Sequence, residues 1–161
     1  MTVTLQPFPS ADLPEWLITH RDAYIGERQR AGDDRAAAER NALQSYERFF
    51  PGNRPADGHE VFQVVAEVDR PVGFIWIGPH PNGVDGVLYI WDIEIDEAER
   101  GSGYGRAAML AAEEHARRKG AQALALNVFG FNTKARALYT SLGYETTAIQ
   151  MRKELTAEPA E

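Results

Sequence analysis

Two carboxylates lie on a predicted strand in the middle of the chain. Asp92 and Glu94 alternate with apolar residues in the segment 87–95, VLYIWDIEI, and this pattern predicts a β-strand with both carboxylates on one face. Carboxylates among apolar neighbours can accept a proton or hold a cationic group. A solvated strand face gives the same pattern, and a β-bulge changes which side chains share a face. Both interpretations of the pair therefore stay open.

A glycine-rich stretch, RGSGYG at 100–105, follows this strand and precedes a helical pattern. A dinucleotide-binding fingerprint fails, because its last glycine position holds Arg106 and the acidic residue about 20 positions later is missing. A P-loop fails because no glycine precedes Lys and Ser or Thr. Two interpretations remain. One is a tight turn that needs positive φ. The other is a pyrophosphate-binding loop at a helix N-terminus, where backbone N–H groups hold negative charge and Arg100 or Arg106 adds to it.

Periodicity predicts the elements that must position these residues. An apolar pattern at i, i+3, i+4 and i+7 predicts a first helix at about 14–29, and Asp33–Asp34 can cap a second helix at 35–49. The period then changes to two, which predicts a hairpin. The remaining predicted elements are strands at 61–68, 72–77 and 87–95, a helix after the glycines that ends at Lys119–Gly120, a strand at 123–128, a helix at 133–142 and a last strand at 144–155, with a further strand expected near 1–5.

The glycine-rich loop and its surroundings resemble a known family. Arg100, Gly103 and Gly105 match the pattern R/Q-x-x-G-x-G/A, the acetyl-coenzyme A signature of the GNAT superfamily of N-acetyltransferases. The segment DIEIDEAER at 92–100 is similar to the fourth strand of that superfamily. NTKARALYTSLGY at 132–144 is similar to its N-x-x-A-x-x-L-Y-x-x-L-G-F/Y segment, and MRKEL at 151–155 to its usual ending. The resemblance extends over 87–155, and the elements before it are compatible with it.

The resemblance implies one domain over 1–161 with an α/β (α+β) fold. A central mixed sheet is expected to be splayed between strands 4 and 5 and flanked by about four helices, with 155–161 as a frayed tail. The chain departs from the family at its end, because 143 and 151 are too close for the usual two-stranded hairpin and leave room for one continuous strand. A single last strand leaves an open sheet edge, which predicts a homodimer.

The resemblance also implies roles for individual residues. The loop backbone would wrap the pyrophosphate of acetyl-CoA, main-chain groups of the preceding strand would pair with the pantetheine arm, and Tyr139 would face the sulfur. Tyr139 also fits an apolar helix face with Leu138 and Leu142, which is the alternative. The predicted cofactor-binding residues are Ile93, Ile95, Arg100, Gly101, Ser102, Gly103, Tyr104, Gly105, Arg106 and Asn132, and the predicted catalytic residues are Tyr139, Glu94 and Asp92.

Composition restricts the partners. A net charge of −7 argues against a nucleic-acid partner, and the absence of cysteine excludes a disulfide framework. No apolar run is long enough to span a membrane and the N-terminus lacks a secretory signal, so a cytoplasmic protein is expected. No metal is expected, because the histidines lack metal-ligand spacing and are interpreted as structural or surface residues: His20, His59, His80 and His115.

These observations predict an enzyme that transfers acetyl from acetyl-CoA directly to a primary amine in a ternary complex. A non-catalytic regulator that binds acyl-CoA is the alternative, and the presence of Tyr139 argues against it. The sequence does not identify the acceptor. Five acidic residues within 92–99 favour a cationic or polar amine over an acidic one.

Overall fold

A mixed sheet of five strands carries helices on both of its faces in the computed structural model, which describes residues 1–67, 69–153 and 155. The strands lie in chain order, and each is antiparallel to its neighbour except β4 and β5, which are parallel. The strands are β1 (Thr4–Pro7), β2 (Glu60–Ala66), β3 (Arg70–Pro79), β4 (Val87–Ile95) and β5 (Ala123–Leu126), and the helices are α1 (Leu13–Arg30), α2 (Arg35–Phe49), α3 (Tyr104–Arg118) and α4 (Thr133–Ser141). This architecture confirms the predicted α/β fold.

The sheet opens between β4 and β5, as predicted. Their pairing runs from Val87 opposite Ala123 to Ile90 opposite Leu126, and there β5 ends although β4 continues to Ile95. The end of β4 therefore has no paired strand on this side within the described residues. Its backbone N–H and C=O groups on that side need other partners, and side chains already bond two of them, the N–H of Ile93 and the carbonyl of Ile95.

Two apolar clusters fill the two faces of the sheet. On one face, α3 packs Ala108 and Met109 against Ile75 and Ile77 of β3. On the other face, α1 and α2 cover a mostly aromatic cluster that includes Trp76 of β3. We call these the α3 face and the α1/α2 face. Alternate residues of β3 enter opposite clusters, as expected for a strand buried on both sides.

A β-bulge in β4 decides which side chains reach each face. Trp76 of β3 lies opposite Asp92 and the next residue, Ile77, lies opposite Ile90, so Trp91 is an extra residue in β4. Ile90 packs on the α3 face, while Trp91 packs in the α1/α2 cluster. Without the extra residue, the residues after it would point to the opposite faces.

The predicted last strand is absent from the described residues. Residues 144–153 form no strand, and Ile149 and Met151 are 77% and 89% exposed. The segment is held instead by Arg152, whose Nη1 donates to the carbonyl oxygen of Gly32 at 2.6 Å. The prediction was wrong because the larger apolar side chains of this segment find no surface to cover in the single chain. Residues 68, 154 and 156–161, including most of the predicted tail, lie outside the description, and the homodimer stays a prediction.

Gly73 allows β3 to approach β4 at the open end of the sheet. A Cβ at Gly73 would collide with the carbonyl oxygen of Glu94 and lie 2.9 Å from the Cα of Ile95. We expect Gly73→Ala to lower the free energy of unfolding by about 1–3 kcal/mol, because β4 must shift to make room. Gly26→Ala in α1 is the control: its added methyl meets no atom within 4 Å, and it should stabilise by about 0.5–1 kcal/mol. Urea unfolding measures both, and an unchanged midpoint for Gly73→Ala would contradict the close approach.

Candidate active site

The Asp92 carboxylate is fixed by partners on two sides. It points to the α1/α2 face, where Oδ2 lies 2.5 Å from Nε2 of His20, a residue of α1. Its other oxygen, Oδ1, accepts the backbone N–H of Ile93 at 2.7 Å. The Asp92 side chain keeps 38% of its surface exposed. Asp92 is therefore an oriented carboxylate that retains access to solvent at the open end of the sheet.

His20 lies in the aromatic cluster and is also bonded to α2. The ring is 7% exposed and stacks on Trp16, with centroids 4.4 Å apart. Its Nδ1 contacts the hydroxyl of Tyr46. Burial, with the charge of Asp92, raises the pKa of Tyr46 far above its usual value, so the hydroxyl keeps its proton and can donate to Nδ1. Nε2 then carries the imidazole proton and donates it to Asp92.

Glu94 shares the α1/α2 face with Asp92 but has a cationic partner. It lies opposite Phe74, whose ring packs edge-on against Trp16. Arg100 donates from Nη2 to Oε1 of Glu94 at 2.9 Å and from Nε to the carbonyl oxygen of Ile95 at 2.8 Å. The structure thus places Arg100, a predicted cofactor-binding residue, against the end of β4. Of the two predicted bases, Glu94 is bonded to an arginine and Asp92 to a histidine.

Glu27 of α1 is a third carboxylate at this site. Partial burial raises its pKa although the residue keeps solvent access, and the charges of Asp92 and Glu94 raise it further, while His20 lowers it. Because the charges of Asp92 and Glu94 act on Glu27, the three carboxylates form one acidic region. The sequence analysis missed Glu27, because nothing in its local pattern distinguishes it from a solvated helix residue.

The glycine-rich loop lies between β4 and the N-terminus of α3. Gly101 and Gly103 have φ of +81° and +87°, and a Cβ on either would meet no atom within 4 Å. Gly105 is already in α3 and lies close to Leu138, which a Cβ there would meet at 3.4 Å. The first N–H groups of a helix have no intrahelical partner. The loop thus combines positive φ with an open surface beside free helix N–H groups, as a pyrophosphate-binding loop requires.

The other predicted loop residues take different positions. Tyr104 is buried, and its hydroxyl accepts a hydrogen bond from Nη2 of Arg70 at 2.9 Å, which ties the start of α3 to β3. Only its backbone is therefore open to a ligand. Ser102 is exposed, and Arg106 donates to the hydroxyl oxygen of Ser141 in α4.

Helix α4 supplies Tyr139 and begins at Asn132. The Oδ1 of Asn132 accepts the N–H of Ala135 at 3.1 Å and caps the helix. This hydrogen bond leaves the side-chain amide nitrogen for another contact. Tyr139 packs against the cluster on the α3 face, as the packing interpretation predicted. Burial and the charge of Asp92 also raise the pKa of Tyr139 to about 12, so its hydroxyl stays protonated at neutral pH and is electrostatically coupled to Asp92.

The other three histidines have structural or surface positions, as predicted. His59 accepts the indole N–H of Trp76 at 3.0 Å, and burial, aided by Arg48, lowers the pKa of His59 to about 4. His115 pairs with Glu60, and His80 accepts a backbone N–H in its own loop. His20 differs because it is buried against a predicted catalytic residue. Among the described residues, no group of histidine and carboxylate side chains could hold a metal ion.

The comparison with known families agrees with this arrangement. The family model described as the acetyltransferase (GNAT) family matches residues 15–144. This chain belongs to the GNAT family. The match covers the predicted signature together with α1 and α2, which the sequence resemblance did not reach. In the described part of this GNAT chain, no helix has the length and apolar character needed to cross a membrane.

Two bacterial relatives are similar over most of their length. The chain is 34% identical to the N-acetyltransferase YdgE of Bacillus subtilis over 112 residues, which are 70% of this chain and 71% of YdgE. It is 28% identical to the N-acetyltransferase YycN of the same organism over 159 residues, 96% of this chain and 100% of YycN. The crystal structure of YycN superimposes with a TM-score of 0.88 over 97% of this chain and 100% of YycN, at 27% identity.

A more distant structure shares the fold alone. AAC(6′)-Iy, solved in complex with the bisubstrate analogue CoA-S-monomethyl-acetylneamine, has a TM-score of 0.58 at 17% identity and covers 98% of this chain and 100% of its own. The family and the fold are thus established by agreement of sequence and structure across the whole domain.

Gly103→Val tests whether the loop binds the pyrophosphate. We expect it to weaken acetyl-CoA binding by about tenfold or more, equivalent to about 1.4 kcal/mol, because the side chain covers the N–H groups. Gly120→Val is the matched control at the other end of α3: its φ is +80°, and an added Cβ again meets nothing within 4 Å. Both variants should lose similar stability. Calorimetric titration measures affinity, and equal acetyl-CoA affinities in the two folded variants would contradict the assignment.

Proposed function

We propose that this GNAT protein transfers the acetyl group of acetyl-CoA to a primary amine in a ternary complex. The observation that carries the proposal is the open end of β4, where the oriented and solvent-accessible carboxylate of Asp92 precedes the glycine-rich loop. That carboxylate can accept a proton, and the Tyr139 hydroxyl, which stays protonated, can donate one. Amine acetylation requires one group of each kind.

The glycine-rich loop and the unpaired end of β4 support the cofactor part of the proposal. Ile93 and Ile95 lie beyond the last pair of β4 and β5. The Ile93 N–H is bonded to Asp92 and the Ile95 carbonyl to Arg100, so the Ile93 carbonyl and the Ile95 N–H remain to bind an extended arm as an added strand does. The loop holds the pyrophosphate, and the free amide nitrogen of Asn132 contacts the arm. The bisubstrate analogue bound by AAC(6′)-Iy fits a fold in which coenzyme A and an acceptor meet in one cleft.

The chemistry then requires proton transfers at the acceptor nitrogen and at the sulfur. Acetyl-CoA supplies an activated acyl group as its thioester. Asp92, directly or through a water, takes a proton from the acceptor ammonium, and the neutral nitrogen forms the new C–N bond as the C–S bond breaks. Tyr139 donates its proton to the departing sulfur and recovers one from solvent. A second proton leaves the acetylated nitrogen, so that the products are an amide, free coenzyme A and one proton.

The acidic region favours a cationic acceptor. Glu27, Asp92 and Glu94 together carry more negative charge than Arg100 neutralises. An ammonium group gains from this field, whereas a carboxylate on the acceptor is repelled.

A chain-matched series of amines tests the reaction and the charge preference. Cadaverine, 5-amino-1-pentanol and 5-aminopentanoate carry a cationic, neutral and anionic second group on the same five-carbon chain. Release of free coenzyme A thiol should be fastest with cadaverine and slowest with 5-aminopentanoate. If the protein binds acetyl-CoA but acetylates none of these amines, and none in a wider amine screen, the result would favour a non-catalytic acyl-CoA-binding regulator.

Asp92→Asn and Glu94→Gln separate the two carboxylates. We expect Asp92→Asn to lower kcat by about a hundredfold or more, the usual contribution of a general base. Glu94→Gln should change kcat less and mainly reduce the preference for cadaverine, because Glu94 is already paired with Arg100. Full activity in Asp92→Asn would remove Asp92 from the mechanism.

Tyr139→Phe tests the proton donor. The hydroxyl acts mainly as the sulfur leaves, so we expect kcat to fall by about tenfold or more while the affinity for acetyl-CoA is retained. Tyr144→Phe is the control, because it removes a hydroxyl from a ring whose centroid lies 6.0 Å from that of Tyr139. If both variants keep the wild-type kcat, Tyr139 is a packing residue and the sulfur is protonated by another group.

A further inference from the structure

We propose that Tyr46 and His20 are positioning residues that hold the Asp92 carboxylate in one orientation for proton transfer, an inference that rests on the acetyl transfer proposed above. The three side chains come from α2, α1 and β4 and form one continuous chain of hydrogen bonds. Neither Tyr46 nor His20 belongs to the glycine loop, the open strand end or α4, and each acts through Asp92.

The donors and acceptors of the chain have one consistent direction. The Tyr46 hydroxyl donates to Nδ1 of His20, and Nε2–H of His20 donates to Oδ2 of Asp92 across 2.5 Å. The backbone N–H of Ile93 donates to Oδ1. Both oxygens of Asp92 therefore hold a donor, which fixes the plane of the carboxylate and leaves its remaining lone pairs toward the cleft.

The environment of His20 shows that packing alone does not explain an imidazole at this position. The ring stacks on Trp16 and makes edge contacts with Phe74 and Trp76, at centroid distances of 5.3 and 6.1 Å. A phenylalanine or leucine fills such a space without the cost of burying two polar nitrogens. The specific contribution of histidine is its pair of hydrogen bonds, and the one that reaches a functional residue goes to Asp92.

The charges around Asp92 give this hydrogen bond its effect. Asp92 is faced by Glu27 from α1 and lies on the same strand face as Glu94, whose charge is partly offset by Arg100. From α2, the Tyr46 hydroxyl reaches Asp92 through His20. The neighbouring carboxylates repel Asp92 from this position, and the donor from His20 holds it there.

Kinetics of matched variants test the role of His20. We expect His20→Phe to lower kcat by about tenfold, the value of one hydrogen bond to a charged group, with an unchanged KM for acetyl-CoA. His20→Gln should recover part of the loss in kcat, since its amide N–H can replace Nε2–H. Tyr46→Phe should reproduce a smaller loss.

His115→Gln is the matched control for substitution of a buried histidine. The His115 side chain is 12% exposed against 6% for His20, and it pairs with Glu60 away from the cleft. We expect this variant to keep the wild-type kcat and pH profile even if its melting temperature falls. A purely structural role for His20 predicts instead that the two histidine variants change stability alone.

Nitrogen-15 NMR of the ligand-free protein tests the hydrogen-bond chain without any activity. His20 should carry its proton on Nε2 at neutral pH, and this tautomer preference should weaken in Tyr46→Phe and in Asp92→Asn. A proton on Nδ1, or a folded His20→Phe with the wild-type kcat, would overturn the inference. If His20→Phe does not fold, the kcat values of His20→Gln and Tyr46→Phe test the role of His20 instead, and wild-type kcat in both would overturn the inference. If wild type transfers acetyl to no amine, the proposed function fails while the NMR result still decides the chain.

Discussion

The early end of the pairing between β4 and β5 is the constraint on which the candidate site depends. Because β5 stops opposite Ile90, the end of β4 keeps backbone groups without a strand partner on this side, although β4 is an inner strand of the sheet. The next residue of β4, Trp91, forms the bulge. Because of it, Asp92 and Glu94 point to the α1/α2 face, while Ile93 and Ile95 lie on the α3 face. One short stretch thus has backbone groups without a strand partner along its edge and two carboxylates on one face.

The electrostatics of the site are balanced by partners from separate elements. Arg100 follows β4 and pairs with Glu94, whereas His20 comes from α1 and bonds Asp92. The two carboxylates lie two positions apart on one face, yet their partners come from different elements. Tyr139 approaches from α4 and keeps its proton in the same field. The different surroundings of these ionisable side chains therefore depend on tertiary packing and not on the strand alone.

The sequence predicted the elements well where local pattern determines them. The helices at Leu13–Arg30 and Arg35–Phe49 and the strand at Val87–Ile95 were found within about two residues of their ends, a typical margin for such boundaries. The loop at 100–105 was recognised because its glycines are locally diagnostic. The last strand was predicted wrongly, because a β-rich composition does not say whether a neighbouring surface exists to cover it.

The part of the site that the sequence analysis missed depends on contacts between distant elements. His20 is separated from Asp92 by 72 positions, and from Tyr46 by 26. A signal was present, since His20 lies on the apolar face of the predicted first helix together with Trp16 and Leu17, where a polar residue needs a partner. The identity of that partner required the bulge at Trp91, which no local pattern in β4 indicates.

The three tryptophans of the chain all belong to one side of the sheet. Trp16 stacks on His20, and Trp76 stacks on Trp91 with centroids 5.3 Å apart, all on the α1/α2 face. The α3 face and the glycine loop have no indole ring. Tryptophan fluorescence is therefore a probe of the α1/α2 face. It should respond directly to a molecule that binds beside Asp92, and to binding at the glycine loop only when that binding moves β4.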